Sequence, residues 1–177
     1  MHQKLYRGFE ILLQIMSIAL LLSLAVVVVL AVIYRYLGSS LVWYDEVASI
    51  QLAWLTYYGA ALAALKRSHL GFPNLLLMIP TALRKAAFCV AEASIIGFFV
   101  VVGWAGWYVM GIFGDETLVS LTWVPLKYTQ AIIPLGALLY LIAEILSMPD
   151  AWQKAMAGVD FEKVAIDAAI ADARQNT

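Results

Sequence analysis

The sequence predicts an all-α integral membrane protein: four transmembrane helices, both termini cytoplasmic, with a short interfacial helix in the cytoplasmic loop. Three observations predict it. Of 177 residues, 64% are hydrophobic and 13% charged, where a soluble domain would be nearer ~45 to 50% apolar. Four apolar runs, about 9–34, 44–66, 86–113 and 124–147, each approach or exceed the ~20 residues that cross a ~30 Å hydrocarbon core at ~1.5 Å per residue. Of 11 Lys and Arg residues, this topology leaves only Arg35 and Lys127 outside, as the positive-inside rule requires.

Met1 to Gly8 is basic through Lys4 and Arg7. The run after it is too long for a secretory signal, whose apolar region is ~7 to 15 residues, so it is expected to remain as span one. Its β-branched Val26 to Val29 do not make it a strand, because an unpaired strand in lipid leaves its backbone unsatisfied. Gly38-Ser39-Ser40 is a turn among the interfacial aromatics Tyr36, Trp43 and Tyr44. Arg35 lies close to Asp45 and Glu46 in sequence; an ion pair and three solvated head-group residues are both open readings.

Span two opens with Asp45 and Glu46 and closes with Lys66 and Arg67, the arrangement favoured by the helix dipole. Thr56, Gly59, Ala60, Ala63 and Ala64 form a stripe of small residues, which lets a second helix approach closely in lipid. Trp54 faces either lipid or a partner. In the cytoplasmic loop that follows, Leu75 to Ile79 is too short to span and is bounded by Pro73 and Pro80, which suggests the interfacial helix. His69 is expected at the membrane surface, as a head-group or helix-end contact.

Span three contains Glu92. An acid at mid-span costs about 2.5 to 3.5 kcal/mol on insertion scales, so Glu92 should face protein or water, with Arg84, Lys85 or the Lys66–Arg67 pair as its partner. A structural hydrogen bond and a direct transport role are both consistent with that placement. Gly97, Gly103 and Gly106 suggest close helix contact, and Cys89 reads as a small helical residue. Asp115 and Glu116 mark the second external loop. Span four has Lys127 near its outer end, Glu144 near its inner end and Pro134 within it, where a kink is expected; Pro149 ends the membrane region. Residues 150–177 read as a cytoplasmic tail, amphipathic or partly disordered.

Several chemistries lack their residues. His2 and His69 lie outside the spans, so a self-contained bis-histidine haem is excluded. The sequence carries no phosphate loop, no nucleophile elbow, no zincin motif and no metal-ligand cluster, so no catalytic residue, cofactor or metal is expected. A net charge of -1 and dispersed basic residues give no sign of nucleic-acid binding. Helix-contact surfaces without a pore or ion cage indicate an accessory or scaffold subunit.

The order Arg35, Trp43, Asp45–Glu46, Trp54, Gly59-Ala60-Ala61, Lys66–Arg67, His69 resembles the signature of the small membrane subunit, DctQ-like, of tripartite ATP-independent periplasmic (TRAP) transporters. Gly71-Phe72-Pro73-Asn74 departs from that pattern, which leaves the solute open. The resemblance implies a bacterial inner-membrane complex of a large multi-span membrane subunit, this small subunit and a periplasmic substrate-binding protein, importing organic acids such as C4-dicarboxylates, other carboxylates or sialic acids. It places substrate and sodium sites in the large subunit. Arg35, Trp43, Asp45 and Glu46 are then the external docking or anchoring group, Trp54, Gly59 and Ala60 helix contacts, and Lys66, Arg67 and His69 the inner boundary, among membrane lipids. Two rivals of other classes are a membrane anchor of a redox enzyme and a stand-alone proton-coupled transporter using Glu92.

Overall fold

The computed structural model describes residues 2–67, 80–113 and 116–157. Five helices account for nearly all of them: α1 (His2–Tyr36), α2 (Tyr44–Leu65), α3 (Thr81–Phe113), α4 (Leu126–Gln130) and α5 (Ile132–Ala157). Four segments are long and apolar enough to cross a membrane: Leu5–Tyr36, Tyr44–Leu65, Leu83–Phe113 and Leu126–Gln153. The expected interfacial helix and His69 lie outside the described residues, as does the tail beyond Ala157.

The helices pack α1 on α2, α2 on α5 and α5 on α3, so α5 is central and α1 lies at one edge. Small residues make the α2–α5 contact possible. Ala61 and Ala143 are fully buried, and a Cβ at Gly136 would run into the ring of Tyr57. The α3–α5 contact is equally close: a Cβ at Gly106 would lie 2.6 Å from Ile133 Cγ2, and Phe99 stacks on Tyr140 with centroids 3.6 Å apart. On α1, by contrast, Leu21, Leu22, Val26 and Val29 are each more than half exposed. In water such a surface would far exceed the apolar patches monomers tolerate; in a bilayer it meets lipid.

The structure departs from the sequence reading at several places. Helix α1 begins at His2 rather than near residue 9, because its first turns are tied to the end of α2: Tyr6 Oη donates to the Leu65 carbonyl at 3.0 Å, and Lys66 Nζ lies 3.2 Å from Glu10. Helix α3 likewise starts at Thr81. Lys66 and Arg67 are not in the last turn of α2, which ends at Leu65.

The fourth span divides at Ala131, and Pro134 falls in the first turn of α5, where a missing N–H breaks no intrahelical bond. Pro149 does not end the helix, which continues to Ala157. An interior proline costs a helix ~3 kcal/mol or more, and packing offsets it: Ala151 and Ala155 are buried with Phe88, whose ring meets Trp152 edge-on at 5.4 Å.

The small-residue stripe is also displaced. The buried residues of α2 are Tyr58, Ala61, Ala64 and Leu65, while Thr56 is exposed and Gly59 has open space where a Cβ would stand. Ala60 is half-buried against the core, as is Trp54. Of the three glycines singled out in α3, a Cβ at Gly103 or Gly106 would meet α5, whereas one at Gly97 would enter open space.

Candidate functional site

Arg67 is the residue on which the Lys66 end of the bundle converges. It follows the last turn of α2 with φ 54°, a left-handed conformation that usually falls to Gly or Asn at a helix end. Its N–H still donates to the Ala64 carbonyl at 3.0 Å, closing the helix. The guanidinium points inward, between α3 and α5, where only 10% of the side chain is exposed.

Every acceptor around it belongs to another helix. Nη1 contacts Oε1 of Glu92 on α3 and Oε1 of Glu144 on α5 at 2.9 Å. Nε donates to Ser147 Oγ at 2.9 Å, and Nη2 to the Glu144 carbonyl at 3.2 Å. Ser147 Oγ in turn lies 3.3 Å from the Ala64 carbonyl. Glu92, Glu144 and Ser147 are all buried. The planar fork of five fixed donors explains why arginine, rather than lysine, can serve both carboxylates, a hydroxyl and a carbonyl at once.

Such a cluster does not add much net stability, since desolvation of its charges opposes their attraction. It does make the arrangement specific: removing one partner leaves a buried, uncompensated charge, at about 3 to 5 kcal/mol. Chemically, it joins the end of α2 to α3 and α5 in one register. Among the described residues there is no group of three His, Cys, Asp or Glu side chains placed to hold a metal.

At the opposite end Glu46 has a comparable joining role. Its Oε1 accepts from the Val119 N–H at 2.9 Å and its Oε2 from the Ser120 N–H at 2.8 Å, while Ser120 Oγ reaches the Val42 carbonyl at 3.3 Å. These bonds tie the start of α2 to the segment before α4, which is itself closed by the Leu126 N–H to the Glu116 carbonyl at 2.7 Å. The loop so held exposes Val119 and Trp123, at 89% and 78%. Deeper in, Trp54 Nε1 donates to the Thr129 carbonyl at 3.3 Å and Gln51 Nε2 to Ser23 Oγ at 3.0 Å.

The sequence-derived candidates therefore separate. Arg67 and Glu92 meet, and Arg67 is the partner chosen from the cations left open for Glu92. Arg84 reaches the Ala155 carbonyl at 3.3 Å instead. Lys66 pairs with Glu10 at the surface. Arg35 and Asp45 are exposed and Trp43 half-exposed, and among the described residues no ion pair joins Arg35 to Asp45 or Glu46. Trp54 turns to its own chain. Glu144 and Ser147 were not among the candidates. The available signal was charge count: two acids inside spans and an arginine at the same end of the bundle.

Compared with known families, residues 24–154 match the model described as tripartite ATP-independent periplasmic transporters, DctQ component. No curated protein matches the sequence.

Proposed function

The chain belongs to the DctQ family of TRAP transporter components, and from that premise we propose that it is the small permease subunit that braces a large carrier subunit in the bacterial inner membrane and helps receive a periplasmic binding protein. The match over residues 24–154, well over half of the chain, carries this reading. The transported solutes are organic acids, C4-dicarboxylates, other carboxylates or sialic acids, moved on a sodium gradient whose binding sites lie in the large subunit. This chain needs no cofactor for that role.

The geometry supports a bracing role. Polar side chains buried in the bundle join helices: Arg67 with Glu92, Glu144 and Ser147 at one end, Gln51 with Ser23 between α1 and α2. The pairing of Glu92 with Arg67 favours a structural part over proton carriage. With Lys4, Arg7, Lys66 and Arg67 at one end, the positive-inside rule supports a cytoplasmic side for that end and for both termini. The Glu46 end, with its exposed Val119 and Trp123, then faces the periplasm, where the binding protein docks.

The test is a mild-detergent purification through a C-terminal tag from cells co-expressing the large subunit and binding protein, followed by sodium-driven uptake in liposomes. The expected result is near-equal recovery of the large subunit and uptake that needs all three proteins. Recovery of this chain alone, with uptake undiminished in its absence, overturns the reading.

A further inference from the structure

The seam between α3 and α5 carries two grooves in succession. One, of about 550 Å³, is bounded by Phe88, Cys89 and Glu92 of α3 and by Trp152 of α5. The other, of about 500 Å³, continues along the same two helices past Gly103 and Trp107 to Met110. On α3, Glu92, Ile96, Phe99, Gly103, Trp107 and Met110 recur every three or four residues, so they share one face. From Phe88 to Met110 the seam runs about 33 Å at ~1.5 Å per residue, the depth of a hydrocarbon core of ~30 Å.

Its lining is apolar except at Glu92 and, toward the end of α5, Gln153. That side chain is only 9% exposed; one oxygen meets Arg67, and the other, Oε2, is buried with no hydrogen-bond partner among the described residues. Among the described residues, the cluster behind it sets two carboxyl groups against one guanidinium. A buried carboxylate oxygen without a donor is costly.

We infer that this seam seats a transmembrane helix of a second chain, and that a Lys or Arg side chain on that helix donates to Glu92 Oε2. A helix fits better than lipid because the grooves together cover the full membrane depth, twice the reach of one leaflet, and because the small, exposed Ala93 on the wall allows the close approach that helix packing in membranes requires. The inference rests on the subunit reading, in which the large subunit supplies the helix.

Cys89, the single cysteine of the chain, is exposed and lines the groove, so it reports on occupancy. Membranes containing this chain alone and membranes containing the complete transporter are treated with a membrane-permeant maleimide, and the Cys89 peptide is followed by mass spectrometry. Labelling is expected to slow about tenfold or more in the complete transporter, an occlusion of ~1.4 kcal/mol. A photo-crosslinker on Cys89 is expected to join a large-subunit helix containing Lys or Arg. Ala93→Trp, which fills the groove without touching the cluster, is expected to abolish co-purification while leaving the isolated chain's thermal stability unchanged.

Unchanged labelling in a complex that purifies intact, a crosslink to phospholipid, or full recovery of the Ala93→Trp complex would each overturn the inference while leaving the subunit reading standing. Failure of the large subunit to co-purify with the wild-type chain overturns the reading itself, and the inference with it.

Discussion

Replacing Arg67 tests whether the inner cluster holds the helices in register. Arg67→Met keeps the length and apolar stem of the side chain but removes the charge that faces Glu92 and Glu144, whose side chains are 9% and 3% exposed. Breaking a buried ion pair from one side costs about 3 to 5 kcal/mol. Against this stands a possible gain. Arg67 has φ 54°, and a residue in that region bears a backbone cost of order 1 to 3 kcal/mol, which Arg67→Gly would relieve. The ionic loss is the larger, so both variants should be destabilised, Arg67→Gly somewhat less. At about 2 to 4 °C per kcal/mol for a chain of this size, Arg67→Met should lower the melting temperature in detergent by roughly 6 to 20 °C.

The triple variant Arg67→Met, Glu92→Leu, Glu144→Leu separates charge imbalance from lost contacts. Replacing a whole buried cluster by apolar residues is often neutral or stabilising, so it should recover most of the lost stability. A single variant as stable as the wild type, or a triple variant no better than the single one, would refute the view that a buried, uncompensated charge is what Arg67 prevents.

Three further outcomes follow from particular contacts. Gly106→Ala places a Cβ 2.6 Å from Ile133 Cγ2 and should cost ~1 to 3 kcal/mol by overpacking, whereas Gly59→Ala enters open space and should gain up to ~1 kcal/mol in helix propensity; thermal unfolding of the two proteins compares them. Gly59→Leu should leave the isolated chain folded yet impair co-purification with the large subunit; unchanged recovery and uptake would count against an inter-subunit contact there. Glu46→Ala removes the acceptor of the Val119 and Ser120 N–H groups, so hydrogen exchange at those two amides should quicken while the amides of α5 keep their protection; equal protection in wild type and variant would show that Glu46 does not hold the loop.

What the sequence could determine was set by length and sign of charge. An apolar run of span length must be a helix in lipid because no other open structure satisfies its backbone, so four spans were legible from composition alone. Their ends were less so: α1 reaches back to His2 because Tyr6 and Glu10 meet the end of α2, a contact between residues far apart in the chain. That Glu92 needs a partner also followed from the cost of a charge in the membrane.

Only the tertiary structure decided which partner, and which faces meet. Small residues occupy more than half of the circumference of α2, so periodicity could not distinguish the buried Ala61 and Ala64 from the open Gly59; helix rotation is set by the shape of the neighbour, here Tyr57 against Gly136. Arg67 read as a surface cation because its position just beyond a span is where positive charge faces the cytoplasm. A left-handed backbone at that residue accompanies a guanidinium that enters the bundle, and backbone geometry of that kind leaves no mark in hydrophobicity or charge.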